Sequence, residues 1–432
     1  MKYEALGNSF FSWNRSRFVK EMKANSVAIF NSNDLMPTNA DATFPFKQNN
    51  DLFYLSGVDQ EETSLILFPD HDEEKFREIL FIKSVDENTV TWEGNKLSKI
   101  QATELSGIKS VYWHDEFEKT LGNLLKQAEI IYLNSNEHQK AENNVVKRDQ
   151  RFIKWCKDHF PLHKFERSTP ILHQLRSVKS QVEINTIRKA CDITKKGFIR
   201  ALKAIKPGMM EYEIEAEFIY EFIRNGSRGF AYEPIVASGK NSCILHYTLN
   251  DKPCYNGDLI LLDIGAEYGN YNADMTRCIP VNGKFTERQK SVYEAVLGVM
   301  KEAKSMLTAG LLLKDYNKEV GKIIESELLG LGLLNKSDID NQNEEHPAYK
   351  KYFMHNISHH LGLDVHDVSP PNQPLEPGMV LTVEPGIYIR EENLGIRLEN
   401  DVLITDNKVE DLMEDIPIEI EEIETLMNEQ HV

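Results

Sequence analysis

The sequence predicts a mixed α/β (α+β) protein with two domains. In the first part of the chain, short apolar runs rich in β-branched and aromatic residues alternate with polar helical stretches. In the second part, two helices followed by strands occur twice in succession. At 432 residues and 41% hydrophobic composition, the chain is long enough to bury the cores of two or three ordinary domains.

The first domain begins with a helical pattern over 11–23 and continues with apolar runs that we interpret as strands. These runs are 26–30, 51–55, 64–68, 79–82, 111–113 and 130–133. A polar helical stretch covers 115–127. We therefore expect an α/β domain with its own sheet, and its sequence contains no metal-ligand cluster or phosphate-binding loop.

The second domain should open with a long helix just after Ser168-Thr169-Pro170. Ser180 with Glu183 three residues later predicts a capping box at the start of that helix, and Lys206-Pro207-Gly208 ends it. Further helices are predicted over 212–224, 287–306 and 315–329, and after Pro417. Strands are predicted over 234–238, 379–383 and 396–404. The repeated order indicates two related halves.

Charge and cysteine content narrow the class of protein. Sixty-eight acidic residues against fifty basic ones give a net charge of −18, which disfavours binding to nucleic acid or to an anionic membrane surface. Five cysteines form no CxxC motif, so neither a disulfide framework nor a cysteine metal site is indicated. The sequence also lacks a signal-peptide pattern and a long apolar run. We expect a soluble, cytoplasmic protein.

A hairpin over 259–277 carries two aspartates at matched positions. An apolar strand over 259–264 leads to the turn Tyr268-Gly269, and the chain returns over 270–278. This register pairs Asp263 with Asp274. Directly opposed like charges destabilise a strand pair, so we expect a bound cation to neutralise them. A single aspartate would more simply end a strand or cap a turn.

Two more acids lie on later strands, after a histidine-rich segment. Glu384 follows the apolar run 379–383, and Glu399 lies inside the run 396–404. Residues 355–367 read HNISHHLGLDVHD, in a chain with thirteen histidines. Four carboxylates and one histidine are typical ligands of two hard or borderline divalent ions, whereas thiolates would have indicated zinc or an iron–sulfur cluster.

These motifs resemble those of the pita-bread metallopeptidases, and within them the aminopeptidase P (Xaa-Pro aminopeptidase) group. ASGKNSCILHYT, LLDIGAEYGNYNADMTR, HNISHHLGLDVHD, TVEPGIY and IRLEND occur in the order of that group. The resemblance spans nearly the whole chain. It implies a creatinase-like N-terminal α/β domain over 1–172 and a pseudo-twofold pita-bread catalytic domain over 173–432. Asn356 stands where the family has glycine, and asparagine tolerates positive φ better than most residues.

The resemblance also implies the activity and the site residues. The activity is the metal-dependent release of the N-terminal residue from peptides with proline second. The metal ligands would be Asp263, Asp274, His359, Glu384 and Glu399. A further set of site histidines would be His246, His355 and His366.

The chemistry of such a site can be outlined from its residue types. Two divalent ions about 3.5–4 Å apart would bridge a water and make hydroxide available as the nucleophile near neutral pH. Glu384 would be the general base. The leaving nitrogen of an X-Pro bond must gain a proton, which a histidine can supply. We expect His246 and His366 near the substrate and His355 near the tetrahedral oxygen.

Two residues beside the ligands are expected to support them. Arg397 would pair with a ligand carboxylate, and Thr276 would hydrogen-bond to one. A carboxylate-rich ligand set suits Mn²⁺, although Co²⁺, Fe²⁺ and Zn²⁺ can occupy the same ligands. The resemblance further implies a homodimer or homotetramer.

Two alternative functions stay open from the sequence. Prolidase has the same fold and metals but cleaves X-Pro dipeptides, and HYT together with GLDVHD favours aminopeptidase P over it. A non-catalytic peptide-binding module of the same fold would be expected to lack ligand residues, and all five positions are occupied here. Metal content and cleavage assays separate these alternatives.

Overall fold

The computed structural model describes residues 3–138, 140–141, 144–343 and 345–429. The chain forms two compact units, Ala5–Arg176 and Ser177–Val432, and Met1–Glu4 belongs with the second. This division lies at Arg176 and Ser177, and the domain limits of 1–172 and 173–432 stay a prediction. Within the described residues, no helix combines the length and the apolar character that a membrane span requires.

The first unit is built on one mixed sheet. Its strands are β1 (Ser26–Asn31), β2 (Ser64–Leu67), β3 (Glu78–Ile82), β4 (Ser110–Trp113), β5 (Ile130–Leu133) and β6 (Lys164–Arg167). Its helices are α1 (Asn8–Lys20), α2 (Asn50–Ser56), α3 (Glu87–Glu93), α4 (Lys99–Ser106), α5 (Phe117–Leu125), α6 (Arg148–His159) and α7 (Thr169–Ser177). The strand order is β4-β3-β2-β1-β5-β6, in which β2 is antiparallel to both neighbours and the remaining pairs are parallel.

The core of this unit lies between the sheet and α5. Val27, Ile66 and Phe81 of the sheet pack with Phe117 and Leu121 of α5, and all five side chains are buried. Five of the six predicted strands are confirmed as β1 to β5. The alternation of apolar strands with helical stretches was therefore a sufficient signal for this sheet.

The predicted strand over 51–55 is wrong, because this segment forms α2. The Asn49 side chain caps the helix, accepting hydrogen bonds from the backbone N–H groups of Asp51 (3.0 Å) and Leu52 (3.2 Å). Every residue from Leu52 to Ser56 is buried. A short helix buried on all sides shows no helical periodicity, so its sequence cannot be distinguished from that of a buried strand.

The second unit contains two successive sets of helices and strands. Its helices are α8 (Gln181–Ala204), α9 (Glu211–Arg224), α10 (Glu287–Met306), α11 (Leu313–Gly330), α12 (Lys336–Asp340) and α13 (Ile420–Asn428). The strands before α10 are β7 (Gly229–Phe230), β8 (Ile235–Ser238), β9 (Leu259–Asp263), β10 (Ala266–Tyr268), β11 (Tyr271–Asn272) and β12 (Thr276–Pro280). The strands after α12 are β13 (Val380–Val383), β14 (Gly386–Ile389), β15 (Leu394–Arg397), β16 (Asn400–Ile404) and β17 (Val409–Asp411).

The helices of this unit follow the sequence prediction closely. The backbone N–H and the hydroxyl of Ser180 both donate to the Glu183 carboxylate, at 2.8 and 2.9 Å, at the start of α8. Helix α13 follows Pro417, as predicted, and buries Ile420, Ile423 and Met427. The strands form small sheets with the orders β12-β9-β8, β11-β10-β7, β13-β16-β17 and β14-β15.

The hairpin is present, but its predicted register is wrong by two residues. Tyr268 pairs with Tyr271, so the turn is formed by Gly269 and Asn270, whose φ angles are 60° and 69°. Positive φ at both central residues is typical of a type I′ hairpin turn. As a result Asp263 pairs with Thr276 rather than with Asp274.

The run over 396–404 is not one strand. It divides into β15 and β16, and Glu399 lies in the break between them. The backbone N–H of Glu399 donates to the carbonyl of Thr276 at 3.1 Å. Glu399 is thereby attached to β12, at the residue that pairs with Asp263.

Candidate metal centre

Asp263 and Asp274 converge despite the shifted register. Asp263 is the last residue of β9, and Asp274 lies between β11 and β12. The Tyr232 hydroxyl lies 2.6 Å from Oδ1 of each aspartate. The backbone N–H of Asp274 donates to the buried Asp401 carboxylate at 3.0 Å, which fixes the chain beside the site.

His359 and Glu384 approach the same place from the second half of the unit. Nε2 of His359 lies 3.5 Å from Oδ2 of Asp274 and 3.7 Å from Oε1 of Glu384. Nδ1 of His359 contacts the His360 carbonyl at 3.0 Å, which directs Nε2 toward the carboxylates. Glu384 directly follows β13, as the sequence predicted.

The Glu399 side chain is held by a hydroxyl on β12. The Thr276 hydroxyl donates to Oε2 of Glu399 at 2.6 Å. Arg397, which is 4% exposed, donates from Nη2 to Asp263 at 2.5 Å and from Nη1 to the Tyr388 hydroxyl at 2.8 Å. Arg397 therefore pairs with a proposed ligand carboxylate, as its position in the sequence suggested.

The buried carboxylates make this region strongly attractive to cations. Burial raises the pKa of Asp263 and of Glu399 above the usual range, and it raises the pKa of Glu384 to about 7. Burial alone would lower the pKa of His359, but the Asp274 and Glu384 carboxylates raise it to about 9. Several acids therefore share one poorly solvated region, and bound divalent cations would compensate their negative charge.

The donor set fits a divalent metal ion. One ligand atom each from Asp274, His359 and Glu399 lie within 4.8 Å of one another. Asp263 is joined to this cluster by the Tyr232 hydroxyl, which contacts both aspartates. Glu384 is joined to it by its contact with His359. Carboxylate oxygens with one imidazole suit manganese, iron, cobalt or zinc.

The three remaining histidines lie at different distances from this cluster. Nε2 of His355 contacts the Tyr388 hydroxyl at 2.8 Å, and its Nδ1 lies 3.6 Å from Oε2 of Glu384. Burial lowers the pKa of His355 to about 3, so its imidazole is neutral. The ring of His366 stacks on His359 with the ring centroids 3.9 Å apart. His246 is exposed.

Comparison with known proteins identifies the family. Residues 185–406 match the family described as "Metallopeptidase family M24", and residues 11–132 match "Aminopeptidase P, N-terminal domain". The Xaa-Pro aminopeptidase of Haemophilus influenzae is 36% identical over 433 residues, covering 97% of this chain and 97% of that protein. The chain belongs to metallopeptidase family M24. Its second unit accordingly has the pita-bread fold, and its first unit is an aminopeptidase P N-terminal domain.

Solved structures of M24 enzymes match the chain over almost its full length. A putative aminopeptidase P from Bacillus anthracis has a TM-score of 0.91 and 35% identity, covering 98% of this chain and 99% of that one. Zinc-substituted aminopeptidase P from Escherichia coli, in complex with product, has a TM-score of 0.88 and 33% identity, with the same coverage. The predicted fold class is therefore confirmed.

Two tyrosines of the M24 site were not identified from the sequence. Tyr232 contacts both aspartates, and Tyr388 joins His355 to Arg397. Each lies beside an apolar run, where an aromatic residue is normally part of the core. A further difference concerns Asn356, which is not among the residues with positive φ, so this position does not need the freedom of glycine.

Proposed function

We propose that the protein removes the N-terminal residue from peptides whose second residue is proline, by metal-dependent hydrolysis. The observation that carries this proposal is the convergence of four carboxylates, two buried and two half-buried, around His359, in a chain that matches an Xaa-Pro aminopeptidase over 97% of its length. A non-catalytic relative would have no need to keep so many unbalanced charges buried.

We further propose that two divalent ions, most simply Mn²⁺, are held by five ligands. These are Asp263, Asp274, His359, Glu384 and Glu399. Bound ions of this kind supply an activated water and a Lewis acid for the scissile carbonyl. Occupation by zinc in the related Escherichia coli enzyme supports a site that accepts more than one metal.

Glu384 is proposed as the general base. Its pKa of about 7 in the unliganded site shows that its environment favours the carboxylic acid form unless cations are present. A carboxylate whose proton affinity lies near working pH can take a proton from water and return it later in the reaction. The neighbouring His359 and His355, 3.7 and 3.6 Å from its two oxygens, keep the side chain oriented.

The other histidines are proposed to act on the substrate. The leaving nitrogen of an X-Pro bond carries no hydrogen before cleavage, so the site must deliver one. The exposure of His246 and the stacking of His366 on His359 support the proposal that these two histidines contact a peptide at the centre. His355 is neutral, its Nδ1–H donates to the Asn356 carbonyl at 2.8 Å, and its Nε2 contacts the Tyr388 hydroxyl. These contacts fix the ring that we propose lies near the tetrahedral oxygen. Arg397 holds Asp263 and takes no proton.

The decisive experiment is a cleavage assay on matched peptides with added Mn²⁺. An X-Pro-Y tripeptide is compared with an X-Pro dipeptide and an X-Ala-Y tripeptide, and the Glu384→Ala variant serves as the blank. Release of X from the X-Pro-Y tripeptide alone supports the proposal. Cleavage of the dipeptide alone would indicate prolidase, and no Glu384-dependent release would indicate a binding module.

Assembly and location complete the proposal. We propose a homodimer or homotetramer that acts on peptides in the cytoplasm. All five cysteines are buried free thiols, which a reducing compartment preserves. Sedimentation of the purified protein as a monomer alone would refute the assembly.

A further inference from the structure

A buried carboxylate outside the proposed ligand set organises the segment that carries His246. Glu211 is the first residue of α9 and is fully buried. Its Oε1 accepts hydrogen bonds from the backbone N–H of Ser238 (2.8 Å), the Ser238 hydroxyl (2.7 Å) and the Asn241 side chain (3.2 Å). One oxygen therefore fixes the segment where it leaves β8.

The second oxygen of Glu211 fixes the same segment beyond His246. Oε2 accepts from the Tyr247 hydroxyl at 2.7 Å and from the backbone N–H of Lys252 at 3.0 Å. The carbonyl of Lys252 in turn accepts from the Glu211 backbone N–H at 2.9 Å. Five donors from residues 238–252 thus converge on one carboxylate, on both sides of His246.

Adjacent residues in this segment have opposite roles. Tyr247 is 5% exposed and points to Glu211, whereas His246 is exposed. Anchoring Tyr247 therefore sets the direction in which His246 leaves the backbone. The segment is also attached to β15, because the backbone N–H of Gly395 donates to the Ser242 hydroxyl at 2.8 Å. Strand β15 carries Arg397 of the metal centre.

The location of Glu211 suits this role. A carboxylate in the first turn of a helix is stabilised by the helix dipole, so Glu211 can accept five donors without a cationic partner. Ordering each loop residue costs roughly 1–2 kcal/mol of conformational entropy. A charged acceptor that gathers donors along the loop offsets part of that cost before substrate binds, which is the condition for a fixed catalytic geometry.

We propose that Glu211 is the positioning residue for His246, acting through Tyr247 and the loop 238–252. The inference rests on the proposed function, because that function places His246 against the substrate. In the described part of the chain, the hydrogen-bond partners of the Glu211 carboxylate include none of the proposed metal ligands. Its contribution to catalysis therefore passes through His246.

A double-mutant cycle tests this dependence. Glu211→Gln and Tyr247→Phe are each made alone and together with His246→Ala, and kcat and KM are measured on an X-Pro-Y tripeptide with Mn²⁺. Glutamine at 211 places an amide N–H₂ where two donors now point, and phenylalanine at 247 removes one hydroxyl. Glu213→Gln is the matched control, since Glu213 lies in the same turn of α9 and accepts from the Met210 N–H instead.

We expect Glu211→Gln and Tyr247→Phe each to lower kcat/KM by about tenfold, the lower end for partners that orient site residues. In the His246→Ala background the same changes should cost less than about twofold, because coupled residues are not additive. Bound Mn²⁺ per chain should not change, and Glu213→Gln should behave as the parent protein. Equal losses with and without His246, or no loss from His246→Ala itself, would overturn the inference.

Hydrogen exchange separates this inference from the proposed function. In Glu211→Gln and Tyr247→Phe, the backbone amides of 238–252 should exchange faster than in the parent protein, while those of α10 should not. This readout needs no substrate, so it is informative even if no X-Pro peptide is cleaved. Unchanged exchange over 238–252 in both variants would overturn the positioning role. If Glu211→Gln fails to fold, both tests are decided by Tyr247→Phe alone and by Tyr247→Phe combined with His246→Ala.

Discussion

Replacing Glu384 by glutamine should change the stability of the protein in opposite directions with and without metal. In the metal-free protein, burial raises the pKa of Glu384 from 4.5 to about 7. Because the folded-state pKa is the higher one, the free energy of unfolding falls as the pH rises through this interval and stays lower above it. This difference between the two pKa values corresponds to a loss of about 3 kcal/mol in the free energy of unfolding. Glutamine cannot ionise and avoids this loss.

The measurement is thermal unfolding at pH 4 and pH 8, in EDTA and in excess Mn²⁺. In EDTA, Glu384→Gln should raise the melting temperature at pH 8 by roughly 6 °C and leave it nearly unchanged at pH 4. In Mn²⁺ at pH 8, Glu384→Gln should instead lower the melting temperature relative to the parent protein. A ligand present at 100 times its dissociation constant stabilises a protein by about 2.7 kcal/mol, and the variant loses a ligand for that ion.

The control is Glu391→Gln, which replaces an exposed acid of the same unit. It should leave the melting temperature unchanged under all four conditions. If Glu384→Gln destabilises the protein equally in EDTA and in Mn²⁺, the carboxylate is a structural hydrogen-bond acceptor rather than a ligand. If it has no effect in EDTA at pH 8, the unbalanced charge inferred for the site is absent.

Three further predictions concern other parts of the molecule. Lys179→Met should lower the free energy of unfolding by about 3–5 kcal/mol, because Lys179 and Asp367 form a buried ion pair at 3.0 Å with side chains 1% and 2% exposed. Asp149→Asn should stabilise the protein by about 4 kcal/mol at pH 8 but not at pH 4, because burial raises the Asp149 pKa from 3.8 to about 7. Gly265→Ala should lower bound Mn²⁺, because its Cβ would lie 1.7 Å from the Ala273 carbonyl oxygen and force open the hairpin that carries the aspartate pair.

Each of these predictions has a matched control in the chain. Lys252→Met breaks an exposed pair with Asp251 and should change stability by less than about 1 kcal/mol. Asp41→Asn changes an exposed acid and should leave the pH profile as it is. Gly122→Ala, in α5 with no atom within 4 Å of the added Cβ, should stabilise by about 0.5–1 kcal/mol. If a control variant changed stability, pH profile or bound Mn²⁺ as much as its test variant does, the corresponding argument would be contradicted.

Most helices and strands could be predicted from local patterns in the sequence, but the pairing register of the strands could not. Glu384 could be placed at a strand end because an acid that terminates an apolar run is a local pattern. The hairpin register was missed because two turns are compatible with the run Tyr268-Gly269-Asn270, and the one that forms requires positive φ at both Gly269 and Asn270. Which turn forms depends on the strands that pair beyond it, and no short window contains that information.

Tyr232 shows a second limit. Its role depends on the distance of its hydroxyl from two aspartates that lie 31 and 42 residues further along the chain. The chain has sixteen tyrosines, and in the sequence Tyr232 is distinguished only by an apolar segment next to it, which is a common setting for a core tyrosine. Four of the five proposed ligands, by contrast, are carboxylates whose apolar neighbours predict burial. Such a conflict between residue type and position is visible in the sequence itself.

The shifted register also explains how the two halves of the second unit share one site. With Asp263 opposite Thr276, the Thr276 carbonyl is left to accept the Glu399 N–H, and its hydroxyl holds the Glu399 carboxylate. Asp401, two residues later, accepts the Asp274 N–H in return. Backbone groups of Thr276 and Asp274 in the first half thus bind Glu399 and Asp401 of the second half. The relative placement of the acids is therefore set by hydrogen bonds at the strand ends and does not depend on the metal to bring them together, which makes the site preorganised for its ions.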